Sequence, residues 1–355
     1  MERPPCTITH GAVKKHREDQ RTVTEIGEAA PQGSELRYLA NFERLVIRLS
    51  GRFINLAPEE LDEEITAALK TIGSFAKVDR SYVFLFSADG RRVSNTHEWC
   101  SAGIDPGIGN VQDVSVDAYP WVMPKFARGE VVHIPDVSRL PPEAAGERRE
   151  MQAQGIKSLI NLPLVCGGRT LGFVGFDSVR ARKTWPDDHV KLLKVVGEII
   201  AGAIERARAT AALTRQVQME KMVADVSTRF INVGAGQLDR EIDRTLEKIG
   251  TFTDVSRSYL FQLSGDRRHM SNTHEWCSPG FAPHIHQLQG LPVEEFAYSM
   301  DRMRRGEAFQ VLRVDDLPAE AQREKLEFRS AGIQSLINVP IMAKGDMIGF
   351  LGFEA

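Results

Sequence analysis

The chain has 355 residues, of which 42% are hydrophobic and 26% charged, and its formal net charge at pH 7 is −3. This length allows two or three domains of ordinary globular composition, and the nearly balanced charge argues against a nucleic-acid partner or strong attraction to an anionic membrane. Four scattered cysteines do not form a disulfide framework and no run reaches the ~18 apolar residues of a membrane span, so we expect a cytoplasmic protein without membrane contact.

The first part of the chain is predicted to be a disordered tail followed by two helices. Residues 1–35 are polar and aperiodic, which is typical of a mobile tail. Apolar residues then recur at helical spacing from Tyr38 to Ile54. Pro58 opens a second helix, whose first turn is acidic, as the helix dipole favours.

Five strands follow, and four of them are predicted to form two hairpins. Asp89-Gly90 predicts a tight turn between the first two strands, and Gly167-Gly168 predicts another between the last two. Helical segments are expected at 119–127 and 142–154. The five predicted strands are Ser81–Phe86, Ser94–Cys100, Val131–Ile134, Leu159–Val165 and Arg169–Asp177.

A long helix after Trp185 is predicted to close the first domain and to connect it to the second, over residues 186–222. Neither Pro nor Gly interrupts residues 204–230. If the helix continues unbroken through residue 230, it would run for about 45 residues, or ~65 Å. The alternative is two shorter helices with a break near Arg215. Because one small domain cannot bury a helix of that length, we expect it to pair with the same helix of a second chain as a homodimer.

The sequence contains one domain twice, with the second copy 177 residues after the first (272 − 95, for example). Arg52–Asn55 returns as Arg229–Asn232, Asn95–Cys100 returns as Asn272–Cys277, and Gly172–Phe176 returns as Gly349–Phe353. No insertion or deletion separates these matches, and six identical residues that include His, Trp and Cys do not arise from compositional bias. The repeat therefore predicts two copies of one domain, at 38–185 and 223–355.

The second copy ends earlier than the first. In the repeat register Glu354 corresponds to Asp177, so a counterpart of the helix at Trp185–Arg208 is missing. One face of the second sheet would then be exposed. We expect either a fragment of a longer protein, which we favour, or a second domain that takes its covering helix from elsewhere.

The order of elements and several short motifs resemble the GAF domain family. The motifs in the first copy are Arg80–Phe86, Arg128–Glu130, Gly155–Leu159 and Gly172–Phe176. Their counterparts in the second copy are Ser258–Phe261, Arg305–Glu307, Gly332–Leu336 and Gly349–Phe353. The resemblance covers roughly residues 40–210 and 215–355.

This resemblance implies an α+β fold in which each domain has a central six-stranded antiparallel sheet with helices on both faces, and in which a long helix joins the domains. It also implies a pocket that binds a small molecule and acts through the connecting helix on a partner or an output domain. Proteins of similar layout are bacterial sensor histidine kinases, diguanylate cyclases and phosphodiesterases, so the chain is alternatively the N-terminal part of such an enzyme. A dimerisation scaffold with empty pockets is a third interpretation. The sequence contains no phosphate-binding loop, dinucleotide fingerprint or nucleophile elbow, so we expect no catalysis by the chain itself.

Ligand-binding residues are predicted on the strand that carries the six-residue match. Alternate side chains of a strand share a face, so Asn95, His97 and Trp99 are predicted to form one pocket wall of polar donors and an aromatic ring. For each residue, packing or a surface ion pair is the structural alternative. The residues predicted to close the pocket are Trp121, Arg128, His133 and Asn161. The corresponding prediction for the second copy is Asn272, His274, Trp276, Tyr298 and Asn338.

The same alternation argues against metal binding and against Cys-His catalysis, because it places His97 and Cys100 on opposite faces. The cysteine setting of bilin-binding relatives and the Asn-Lys-Phe-Asp-Glu signature of cyclic-nucleotide-binding relatives are absent, so the sequence identifies neither a cofactor nor a ligand. The copies share one predicted wall and differ elsewhere, for instance where Trp121 becomes Tyr298. We therefore expect different ligands, or one functional pocket and one structural domain.

Overall fold

A computed structural model describes residues 29–355. The chain divides into two compact units between Thr214 and Arg215. Most of the predicted N-terminal tail lies outside the described residues. Residues 29–35, which we also assigned to the tail, are helical.

The first unit is a six-stranded antiparallel sheet with helices on both faces. Its strands are β1 (Arg80–Phe86), β2 (Arg92–Cys100), β3 (Val114–Ser115), β4 (Val132–Ile134), β5 (Ser158–Cys166) and β6 (Arg169–Ser178), in the order β3-β2-β1-β6-β5-β4. Its helices are α1 (Ala29–Ile54), α2 (Leu61–Ala76), α3 (Met123–Ala127), α4 (Ala145–Ala153) and the first part of α5 (Asp187–Asn232). The five predicted strands are confirmed to within two residues at each end. Strand β3 was not predicted, because two residues are too few to show an alternating pattern.

The two faces of this sheet are covered differently. On one face, the apolar stripes of α1, α2 and α5 form a large core with the sheet, to which each helix contributes a fully buried side chain such as Phe42, Ile65 and Leu193. On the other face, the short helices α3 and α4 enclose a smaller core around Phe126 and Phe173. The first face therefore carries the main packing, whereas the second face leaves room for a pocket.

The second unit repeats this arrangement. Its strands are β7 (Arg257–Leu263), β8 (His269–Cys277), β9 (Leu291–Pro292), β10 (Phe309–Val311), β11 (Leu336–Ala343) and β12 (Asp346–Glu354), in the order β10-β11-β12-β7-β8-β9. Its helices, besides the end of α5, are α6 (Leu238–Thr253), α7 (Ala297–Met303) and α8 (Gln322–Ser330).

Helix α5 is continuous over 46 residues, Asp187–Asn232. The predicted unbroken helix of about 45 residues is confirmed, and the alternative break near Arg215 is wrong. The predicted domain boundary at residue 222 lies within this helix. In the repeat register, residues 206–231 of α5 correspond to residues 29–54 of α1. One helix thus closes the first domain and supplies the first helix of the second. Residues 209–221 of α5 are exposed on every side of the helix.

The helix-covered sheet face of the first unit has an exposed counterpart in the second. Leu162 and Leu171 are 0% and 3% exposed, whereas their counterparts Val339 and Ile348 are 41% and 46% exposed. Within the described residues, the second sheet therefore has an apolar face that is only partly covered. None of the helices in residues 29–355 is both long enough and apolar enough to cross a membrane.

Candidate functional site

A β-bulge in β2 divides the six-residue match between the two faces of the sheet. Val83 pairs with His97 and Phe84 pairs with Asn95, so Thr96 is an extra residue opposite β1. The bulge reverses the alternation, and Asn95 lies on the opposite face from His97 and Trp99. The predicted common wall is therefore wrong, because side chains alternate regularly between the two faces only in a strand without a bulge. The same shift occurs in β8, where Leu260 pairs with His274 and Phe261 with Asn272.

His97 and Trp99 lie against α2 on the helix-covered face. The Nε2 atom of His97 is 3.0 Å from Oδ1 of Asp62. The Trp99 ring fills the space above Gly73, where an added Cβ would be 2.6 Å from Cζ3 of the indole. These contacts make both residues part of the packing between helix and sheet.

The second copy uses the same packing. His274 is 3.5 Å from Asp239, and an added Cβ on Gly250 would be 2.5 Å from the Trp276 ring. His274 and Trp276 therefore lie on the helix side of the second sheet, as their counterparts do in the first.

A cavity of about 100 Å³ lies on the other face of the first sheet, beneath α3 and α4. Two predicted site residues, Asn95 and Asn161, line it. Its remaining wall combines aromatic rings with a cluster of buried charged residues. The charged residues of this cluster are Arg80, Glu98 and Asp177.

Arg80 is the centre of the buried cluster. Its guanidinium lies 3.8 Å from a carboxylate oxygen of Asp177 and 3.8 Å from one of Glu98, and it donates to Oε1 of Gln154 at 3.1 Å. Glu98 also accepts the backbone N–H groups of Gly107 and Ile108 at 2.8 and 3.0 Å. Burial raises the pKa of Asp177 to about 7, an effect that the positive charge of Arg80 opposes.

The hydroxyl of Tyr82 joins Asp177 to Asn161. It lies 2.8 Å from Oδ1 of Asp177 and 2.9 Å from Oδ1 of Asn161. A phenol has one proton to donate, so it can donate to only one of these oxygens. A hydrogen bond from this hydroxyl to Asp177 lowers the pKa of the carboxyl and therefore opposes part of the shift that burial causes.

The other three predicted residues of the first copy do not line the cavity. The Trp121 ring is half-buried beside it, under the ammonium of Lys125 at 4.1 Å. Arg128 forms a surface ion pair with Glu130 at 2.6 Å, which was the structural alternative. His133 alternates with the core residues of β4 and packs edge-on against Trp185, with ring centroids 5.6 Å apart.

A larger cavity of about 510 Å³ occupies the corresponding place in the second unit. Of the predicted residues of this copy, Asn338 lines it. Asn272 is 1% exposed and lies in β8, but it is not one of the residues that line the cavity. Tyr298 also lies outside the lining, where it accepts a hydrogen bond from Arg302 at 3.0 Å.

The charged cluster of the second cavity is arranged differently. Arg257 donates directly to Glu354, whose side chain is one methylene longer than that of Asp177. The Tyr259 hydroxyl donates to Asn338 at 3.1 Å. Burial raises the pKa of Glu354, and Arg257 opposes this shift.

These charged residues were not predicted as site residues, although the repeat contained a signal. Arg80 and Glu98 return unchanged as Arg257 and Glu275, and both lie in strands that are otherwise largely apolar or uncharged. A charge retained in both copies of a buried strand indicates a buried cluster.

The remaining candidate chemistry concerns Cys100 and metal ions. Burial raises the pKa of the Cys100 thiol to about 11, so the sulfur is a neutral thiol at pH 7. Across residues 29–355, no group of three or more His, Cys, Asp or Glu side chains is placed to hold a metal ion.

Comparisons with known proteins agree with the fold. A sequence model described as the GAF domain matches residues 60–204 and 237–355. The methanogenesis regulatory histidine kinase FilI of Methanothrix harundinacea is 26% identical over 259 residues, which cover 70% of this chain and 28% of the kinase. The bacteriophytochrome structure from the photosynthetic bacterium R. palustris superposes with a TM-score of 0.56 at 15% identity, over 88% of this chain and 63% of that one. The chain thus spans less than two thirds of either protein.

Proposed function

The chain belongs to the GAF domain family, with two GAF domains in tandem, and we propose that it binds a small molecule and passes the signal through α5 to a partner or an output domain. The observation that carries this proposal is the pair of cavities with buried charged walls, each on the sheet face away from the long helices. Buried charges are costly unless they are paired, and a mixture of apolar walls with a few convergent polar groups is typical of ligand sites.

The route of the signal is supported by the sharing of α5 between the two units. Leu193, Val196 and Ile200 of this helix are buried in the core of the first unit. Residues 215–232 of the same helix belong to the second unit. A ligand that changes the packing of one domain therefore acts on an element that continues into the other.

The proposal for the output activity is based on the similarity of this chain to FilI. FilI is a regulatory histidine kinase, and the chain matches 28% of its length. We propose that this chain acts as the sensory part of a comparable system in the cytoplasm, and that catalysis is carried out elsewhere than in its two GAF domains.

The test combines ligand screening with hydrogen exchange on the whole chain. A compound that binds the native state raises the melting temperature. We expect at least one compound from a metabolite panel to do so and also to change amide exchange in residues 205–225. Binding without any change in α5 would favour a ligand-binding scaffold, and no binding by any compound would favour the scaffold with empty pockets.

A further inference from the structure

Polar side chains that line the first cavity hydrogen-bond to one another. Gln154 accepts a hydrogen bond from Arg80 at 3.1 Å, and the hydroxyl of Tyr119 donates to Glu150 at 3.0 Å. In the repeat register, Gln154 is replaced by Ala331 and Tyr119 by Phe296. Neither replacement has a side-chain polar atom, so both of these hydrogen bonds are lost in the second domain.

Aromatic stacking around the cavity is also reduced in the second domain. Phe126 stacks on Phe173 at 4.3 Å, and Phe173 stacks on Phe84 at 4.8 Å, which fills the first cavity with three rings. The counterpart of Phe126 is Met303, and only the pair Phe261–Phe350 of the second domain retains this stacking, at 4.9 Å. An unbranched Met adapts to a ligand more readily than a stacked ring. These replacements accompany the difference in cavity volume, which is about 100 Å³ in the first domain and about 510 Å³ in the second.

The walls of the second cavity carry more negative than positive charge. Among the described residues that line it, Arg257 is the one with a permanent positive charge, and it is already paired with Glu354. Glu295 pairs with Arg323 at 2.6 Å. Glu275 and Glu327 also line the cavity, and neither has an ion-pair partner within residues 29–355.

These two carboxylates have different settings. One oxygen of Glu275 accepts the backbone N–H groups of His284 and Ile285 at 2.8 and 2.9 Å, which holds the carboxylate in place. Glu327 is exposed, and its counterpart in the first domain is the Glu150 that Tyr119 contacts. A cationic group that enters this cavity would therefore meet one fixed and one accessible carboxylate, whereas an anionic group would meet two like charges.

We infer that the second domain, and not the first, is the ligand-binding domain, and that its ligand is an amine with an apolar or aromatic body. The inference rests on the proposed sensory function and specifies which cavity serves it. The aromatic part contacts Phe261, Phe296 and Phe350, and the ammonium group lies near Glu275 and Glu327.

The test uses two probes of equal size and opposite charge, 4-phenylbutylamine and 4-phenylbutyrate, in calorimetric titrations of the whole chain. We expect one amine site per chain, with the amine bound at least tenfold more tightly than the carboxylate. Equal or tighter binding of the carboxylate, two sites per chain, or no binding of either probe would overturn the inference.

Two variants introduce into the second cavity the polar side chains that the first domain has at the corresponding positions. Ala331→Gln and Phe296→Tyr each introduce the residue that the first domain already accommodates at that position, and each is expected to weaken amine binding at least tenfold. Unchanged affinity in both variants, with unfolding curves like those of the wild type, would contradict the assignment to this cavity.

The experiments distinguish failure of the amine assignment from failure of the proposed sensory function. If the amine fails but another compound raises the melting temperature and alters exchange in α5, the sensory proposal stands and the amine assignment is wrong. If the amine binds as described and α5 does not respond, the ligand class stands and the signalling proposal fails.

Discussion

Asp177 lies in the interior of the first domain, between a guanidinium and a phenol. Arg80 is too distant for a hydrogen bond at 3.8 Å, whereas the Tyr82 hydroxyl is 2.8 Å away. Burial raises the pKa of Asp177 from 3.8 to about 7. Between about pH 4 and 7 the folded protein therefore keeps a proton that the unfolded chain releases, so the contribution of this residue to stability is present below pH 4 and is lost as the pH rises to about 7.

Asp177→Asn is expected to remove this pH dependence. The free energy of unfolding of the wild type, relative to that of the variant, should fall between pH 4 and pH 7, and the whole shift from 3.8 to about 7 corresponds to roughly 4 kcal/mol. Denaturant unfolding at several pH values measures this fall in the free energy of unfolding. Both proteins also carry Trp276→Phe, so that the remaining tryptophans, and therefore the fluorescence, report on the first domain. Parallel curves for the two proteins would show that Asp177 is ionised in the folded state throughout.

At the scale of elements, the repeat allows the same sheet position to be compared with and without a covering helix. Leu171 in β6 is 3% exposed beneath the helices of the first unit, whereas its counterpart Ile348 in β12 is 46% exposed. The two strands have the same neighbours in their sheets. The difference in burial therefore comes from the helix layer and not from the sheet.

Truncation at these two positions should have unequal costs. Leu171→Ala removes a fully packed side chain and should lower the free energy of unfolding by about 2–5 kcal/mol. Ile348→Ala is expected to cost less than about 1 kcal/mol, because much of the side chain already contacts solvent. Denaturant unfolding of the two variants compares them directly, and a cost for Ile348→Ala as large as that for Leu171→Ala would show that a helix covers this face in solution.

At the scale of the whole molecule, the exposed middle of α5 supports the predicted homodimer. Residues 209–221 are exposed on all sides of the helix. Leu213 and Val217, 62% and 39% exposed, are four residues apart and so share one side of it. A helical stretch of this length gains little stability from its backbone alone, and pairing with a second copy would bury these side chains.

Lysine at both apolar positions should weaken dimerisation. We expect the wild type to sediment as a dimer. The dimer of the Leu213→Lys/Val217→Lys variant should dissociate at concentrations at least tenfold higher than those at which the wild-type dimer dissociates. The matched control, Ala211→Lys/Gln218→Lys, adds the same charge to the opposite side of the helix and should leave the dimer intact. A monomeric wild type, or equal effects of the two variants, would contradict pairing through this surface.

Local and repeated features of the whole chain could be predicted from the sequence. The repeat register, the strands with their turns and the uninterrupted residues 204–230 depend on neighbouring residues alone, because turn geometry and helix continuity are local properties of the backbone. The single helix over Asp187–Asn232 follows from the same cause.

The site was decided by tertiary structure. The bulge at Thr96, which separates Asn95 from His97, depends on how β1 and β2 pair, and sequence alternation contains no information on that register. The buried cluster brings Arg80, Glu98 and Asp177 together from three strands, a contact that exists only once the sheet has formed. The sequence by itself thus determined two GAF domains and their connecting helix, whereas the faces, the cavities and their charge follow from long-range strand pairing.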